Sequence, residues 1–369
     1  SDRAFSALLA DLHTHAARIP DKVENADSLT VLLLMQNGLP VPLDLGEELG
    51  TPGLLLAARA PKNSPIDRIE AAERVVRTGA LSVAELQSIA DAQDFTADQF
   101  ATEHAQVLQM PFLEGQSLLR QAVKRAAEKV QPALIYEALA SAQNKDLMDI
   151  AADLEQDALM RLEPDARDRD MTGLFARALM MTGNIQRAVQ WAATLNPALP
   201  SDAPVWARLY ASLDLIAPSA VLPAQRSMML NELSREVVQK TPEQGFAALA
   251  LSLYAALKEP LPPSVALIAR SARQTRWPGR RPGRAYLRKL DEALHAPSQR
   301  GAAIAFVLDA IGAEGPGDLA PDACANLVGD LVQEHLNEDA RAIANAALLD
   351  YSPPSLTGAA LQAKGSTAL

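Results

Sequence analysis

From about residue 25 to residue 351 the apolar positions of this chain recur every three or four residues, in runs that proline or glycine cuts off. Ile66, Ile69, Ala72 and Val76 form one such stripe, Leu230, Leu233 and Val237 another, and Ile304, Leu308 and Ile311 a third. This spacing predicts helices near 27–37, 65–78, 82–93, 97–109, 112–129, 132–143, 145–162, 169–182 and 184–195. Further helices are predicted near 203–216, 224–239, 242–258, 263–275, 283–295, 299–312, 321–335 and 338–350. Several starts carry cap signals. Ser82 with Glu85 and Thr96 with Gln99 fit the capping box, Ser64 precedes Pro65, and Thr241, Pro242 and Gln244 repeat the pattern with proline at the first helical position.

Connections of two to eight residues make successive helices antiparallel neighbours. The expected fold is therefore all-α, stacked antiparallel hairpins in an α-solenoid or curved helical array, with a bundle of the same helices as the alternative. Segment 38–62 is richer in proline and glycine and holds one or two short helices, so residues 1–62 read as an N-terminal cap region and 63–351 as the array. Residues 352–369 lose the periodicity after a Pro-Pro break and read as an extended or mobile tail. Leu29 to Met35 is the one stretch with the composition of a short strand, and Gly38 as a helix stop favours helix there.

Composition supports this picture. Aromatic residues are only 4%, which suits close helix packing better than a sandwich or barrel. The net charge of −11 argues against nucleic acid as partner, since phosphate neutralisation needs a basic face. A single cysteine, Cys324, allows neither an intramolecular disulfide nor a thiolate metal cluster. Gly245 to Leu257 is nearly uncharged but shorter than the roughly 20 residues of a membrane span, so it reads as a buried helix. No charged-then-apolar leader is visible at Ser1, and the expectation is a soluble protein, cytoplasmic or exported after loss of a leader.

The stretch Gly173 to Pro197, with Ala176, Gly183 and Ala188 in the small-residue and turn positions, resembles a tetratricopeptide repeat. Gly79 and Ala84 repeat the same five-residue separation within Arg68 to Asp91. The resemblance implies helical hairpins that bind a protein or peptide on a concave face. It also implies that Gly183 and Ala188 lie at a tight helix crossing.

Chemistry has few handles. Asp11-Leu12-His13-Thr14-His15 resembles the first metal motif of PHP-type and amidohydrolase phosphoesterases, but that motif needs a strand and further ligands, whereas Ala4 to Ala10 reads as helix. Cys324 lies on a predicted helix beside alanine and leucine and reads as a buried small hydrophobe. The acidic pairs Glu47-Glu48, Glu163 with Asp165, and Asp168 with Asp170 fall at helix ends and read as solvated surface. No nucleophile elbow, P-loop or dinucleotide fingerprint occurs. No catalytic residue, metal site or cofactor is therefore expected.

One segment stands apart. Between Glu259 and Asp291 there is no acidic residue, while Arg270, Arg273, Arg276, Arg280, Arg281, Arg284, Arg288 and Lys289 gather around Trp277-Pro278-Gly279. These arginines either pair with acidic groups elsewhere in the fold or form a docking patch with Trp277, because arginine beside an indole is typical of interface hot spots. The expected function is a non-enzymatic scaffold or adaptor for a protein or peptide partner, acidic in character, with Arg270, Arg273, Arg276, Trp277, Arg280, Arg281 and Arg284 in contact. The alternatives are an enzyme-associated domain that positions an anionic polymer, of cell wall or nucleic acid, and a metal-dependent hydrolase using His13 and His15.

Overall fold

The computed structural model describes residues 39–351, apart from 101–106, 108, 144, 146, 166–168, 295–299 and 313–314, together with Leu34. The DLHTH segment, the predicted helix at 27–37 other than Leu34, most of that at 97–109, and the tail after Tyr351 lie outside the described residues. Leu34 itself is helical and buried. Eighteen α-helices occur among the described residues, with no strand and a single parallel bridge between Arg280 and Leu319. No helix among them is long and apolar enough to cross a membrane. The chain clusters into two compact units, Ser1–Ala158 and Leu159–Leu369, and the division falls inside the helix Met148–Arg161.

The first unit runs through α1 (Leu43–Glu48), α2 (Gly50–Arg59), α3 (Pro65–Val75), α4 (Val83–Asp91), α5 (Ala97–Phe100), α6 (Phe112–Arg125), α7 (Gln131–Gln143) and the start of α8 (Met148–Arg161). Helices α1 to α4 pack each on the next, α5 and α7 pack on α6, and α6 also lies against α3 and α4. Both expected capping boxes form, at Ser82 with Glu85 and at Thr96 with Gln99, and Ser64 accepts from the Asp67 amide at 3.1 Å. The N-terminus of α6 follows Pro111, which supplies no cap. Glu73 of α3 takes that place, accepting from the amides of Phe112 at 2.8 Å and Leu113 at 2.5 Å.

The opposite problem, unpaired carbonyls at the end of α4, is met by the buried polar face of α6. Ser117 and Gln121 donate to Ala90 O, Gln121 also to Gln93 O at 2.6 Å, and Arg120 to Asp91 at 2.9 Å. These bonds let α6 bury Ser117, Arg120 and Gln121 against the end of α4. Asn63 fixes the entry loop in the same way, exchanging two hydrogen bonds with the Val41 backbone at 2.6 and 2.7 Å.

The second unit contains α9 (Arg169–Met181), α10 (Ile185–Ala192), α11 (Ala203–Ile216), α12 (Pro223–Gln239), α13 (Gln244–Ala256), α14 (Pro263–Gln274), α15 (Arg284–Leu294), α16 (Arg300–Ile311), α17 (Pro321–Gln333) and α18 (Asn337–Asp350). Its centre is α13, whose residues Phe246 to Tyr254 are all buried, as its nearly uncharged sequence requires. Helices α12, α14 and α17 pack around it, and the last helix, α18, returns onto α9, α11 and α13.

Three sequence expectations change on packing. Ile66 and Leu308, assigned to core stripes, are largely exposed, and Val307 with Ala310 and Ile311 carries the buried face of α16 instead. A period near 3.6 leaves two adjacent faces compatible with one short stripe. The expected cap at Thr241 does not form, since α13 starts at Gln244 and the buried Thr241 hydroxyl has no hydrogen-bond partner. Finally, a Cβ at Gly183 would meet open space. Its φ of +75° shows that the glycine serves the turn rather than a close crossing. Ala176 and Ala188 are fully buried, whereas Ala84, in the second repeat-like stretch, is exposed.

Candidate functional site

The acid-free segment forms the end of α14, the turn at 275–283 and the start of α15. Proline at 278 and 282 prevents the helix from continuing, and Gly279 takes φ +131°, a region closed to other residues. A Cβ at Gly279 would also lie 2.8 Å from the Ala320 backbone. Close approach there is what permits the bridge, in which Arg280 N donates to Asp318 O at 3.2 Å and Ala320 N donates to Arg280 O at 2.9 Å.

Three of the arginines are turned into the fold. Arg281 grips Asp322, in the first turn of α17, through both terminal nitrogens at 2.5 and 2.7 Å, and donates to Trp277 O at 2.8 Å. This pairing raises the Arg281 pKa further. Arg280 pairs with Asp318 at 2.8 Å and donates to the carbonyls of Ala310 and Ile311 in the last turn of α16. Arg273 donates to Asn326 at 3.1 Å, and its guanidinium rests where a side chain at Gly329 would stand.

The remaining members differ. Arg270 and Arg276 are exposed and make no side-chain hydrogen bond or ion pair among the described residues. The side chain of Arg284 lies outside the described residues, although its backbone opens α15. The sequence-level choice between pairing and docking thus divides along the segment.

Trp277 is half-buried and held at both ends. Its amide donates to Asp322 at 3.3 Å and its indole N–H to Ala272 O at 2.8 Å, a carbonyl in the last turn of α14 that the Thr275 amide also reaches. One face of the turn borders a cleft of about 230 Å³, lined by Pro242, Gln244, Gly245, Trp277, Pro278, Gly279, Gly317, Asp318, Leu319, Pro321 and Tyr351. Its wall is made of two aromatic rings, prolines and glycines, with the Gln244 amide, the Tyr351 hydroxyl and the Asp318 carboxylate, paired with Arg280, as polar points. Burial pushes the Tyr351 phenol pKa upward.

Sequence reasoning did not find a second polar cluster in this unit. Asp214 of α11 accepts from the Tyr254 hydroxyl at 2.7 Å and from Arg226 at 2.8 Å. Arg226 reaches Glu259 at 3.5 Å, and Arg341 of α18 bonds both Glu259 and, at 3.2 Å, Leu215 O. Its members come from four helices and a loop, up to 126 positions apart, so no local motif could have announced it. Each charge has an opposite charge beside it, and the cluster joins α11, α12, α13 and α18.

No grouping of three or more His, Cys, Asp and Glu able to hold a metal occurs among the described residues. Cys324 is fully buried, and burial pushes its thiol up to about 12, so it carries no thiolate at neutral pH. No family model, curated protein or solved structure matches the chain.

Proposed function

We propose that this chain is a non-catalytic helical scaffold that binds an extended, acidic, proline-containing peptide in the cleft beside the Trp277-Pro278-Gly279 turn. The observation that carries this reading is the turn's construction. Arg273, Arg280 and Arg281 are used to brace it, and Trp277 is fixed at both ends, so a peptide meets a wall that loses little freedom on binding. The rings of Trp277 and Tyr351 with Pro242, Pro278 and Pro321 suit a polyproline-II backbone. The exposed Arg270 and Arg276 give an acidic flank its counter-charge. The hairpin of α9 and α10, with Ala176 and Ala188 buried at its contact, is the part closest to a tetratricopeptide unit, and peptide binding on helical hairpins accords with it.

A displayed library of random peptides, selected on the full chain and counter-selected on Trp277→Ala, tests the reading. Enrichment of proline-containing acidic peptides that lose at least tenfold in affinity for Trp277→Ala supports it. Equal binding to both proteins overturns it. The alternative of positioning an anionic polymer draws on the exposed Arg270 and Arg276. It requires retention on a polyanion column that survives Trp277→Ala and is abolished by salt.

A further inference from the structure

Glu236, near the C-terminal end of α12, is fully buried, and neither of its carboxylate oxygens has a hydrogen-bond partner. An ionised carboxylate in that position is shut off from bulk solvent and meets no protein donor. Burial accordingly raises its pKa to about 7. The charged groups acting on it are Arg208 from α11, Glu243 from the turn before α13, and Glu232 and Arg235 from its own helix. Helix α14, which also packs against α12, brings none of them. Arg235 is already engaged with Glu232 and Gln239 on the exposed side, which leaves Arg208 as the cation available to the buried acid.

Arg208 has a weak hold elsewhere. It stands 3.9 Å from Glu243 and 5.5 Å from the centre of the Phe246 ring, and its buried Nε has no acceptor. Phe246 in turn packs edge-on against Tyr351 with ring centres 5.6 Å apart, and the Tyr351 hydroxyl fills the space beside Gly245. Tyr351 and Gly245 are walls of the cleft. Arg208, whose charge acts on the unpartnered acid without pairing with it, thus stands between Glu236 and the Phe246–Tyr351 wall of the cleft.

We propose that Glu236 controls the cleft by releasing its proton to solvent: once ionised, it draws Arg208 away from Glu243 and Phe246, and the Phe246–Tyr351 wall shifts. This rests on the cleft being the binding site. The direction follows from dielectric. An ion pair inside the protein outweighs a 3.9 Å contact between side chains that are each about a third exposed. With the acid protonated, Arg208 stays with Glu243 and the wall stands as described, so peptide binding falls as pH rises through neutrality.

The test uses the full chain without any ligand. Tyrosine is labelled with carbon-13 in the ring, the Tyr351 resonance is assigned by its loss in Tyr351→Phe, and spectra are recorded from pH 5.5 to 8.5. The expected result is a Tyr351 shift with a midpoint near 7 that disappears in Glu236→Gln. A second variant, Glu243→Gln, removes the competing partner of Arg208 and moves the midpoint down by at least half a pH unit. A Tyr351 resonance that does not move, or that titrates unchanged in these variants, overturns the proposal. Failure of the cleft reading shows separately, as equal peptide binding by the full chain and Trp277→Ala, and leaves this titration unaffected.

Discussion

Charge reversal at Arg281 separates a brace from a contact residue. The Arg281–Asp322 pair is 28% and 13% exposed, between an open surface pair, where loss costs about 0–1 kcal/mol, and a buried one, where removing one partner costs about 3–5 kcal/mol. Arg281→Glu removes two bonds to Asp322 and one to Trp277 O, and sets a second carboxylate against the first. The loss works out at about 3 kcal/mol, which for a unit the size of Leu159–Leu369 lowers its melting temperature by roughly 6–12 °C. Arg276→Glu makes the same change of charge at the exposed second residue of the turn and stays within about 0.5 kcal/mol. Thermal melts followed by far-UV circular dichroism on both variants decide the matter. Equal melting temperatures for the two would refute the reasoning, because they would mean that the paired geometry holds nothing together.

Ala188→Leu overpacks the fully buried contact between α9 and α10 and costs about 1–3 kcal/mol in urea unfolding, while Ala84→Leu, on the exposed side of α4, leaves stability unchanged; the reverse order would contradict the packing. Glu236 has a folded pKa raised from 4.5 to about 7, so its contribution to stability is complete below pH 4.5 and is lost as pH rises to about 7, a change of about 3 kcal/mol. Measured at pH 5 and pH 8, the stability difference between the native chain and Glu236→Gln therefore favours the native chain more at pH 5, and a difference independent of pH would remove the claim.

Helix positions were largely legible because their signals are local. Proline at 65, 223, 263 and 321 marks helix starts, and Ser82 with Glu85 writes both halves of a cap within four residues. What the sequence could not show is which groups meet. The amides at the start of α6 are capped by Glu73, 39 positions earlier, and the Asp214 cluster draws on residues from four helices. The arginine segment was visible as a charge asymmetry, yet the fate of each arginine depends on Asp318 and Asp322, about 40 residues away. Nothing local distinguishes Arg281, which is clamped, from Arg276, which is exposed.

Two of the buried acids of the second unit, Asp214 and Glu236, differ in how they are satisfied. Asp214 and Glu236 are both almost fully enclosed, 5% and 0% exposed, but Asp214 accepts from a tyrosine and an arginine while Glu236 accepts from nothing. The fold can therefore satisfy a buried carboxylate where it serves only to join helices. An unsatisfied one costs stability that a leucine of similar volume would not, so a purely structural account leaves Glu236 without a reason. Its neighbours supply one. Arg208, Phe246 and Tyr351 lead from it to the cleft beside Trp277, whereas the Asp214 cluster closes on itself through Arg226, Glu259 and Arg341. An unpartnered carboxylate beside the residues that line the cleft, set against a partnered one that joins helices, is what the proposed control of that cleft requires.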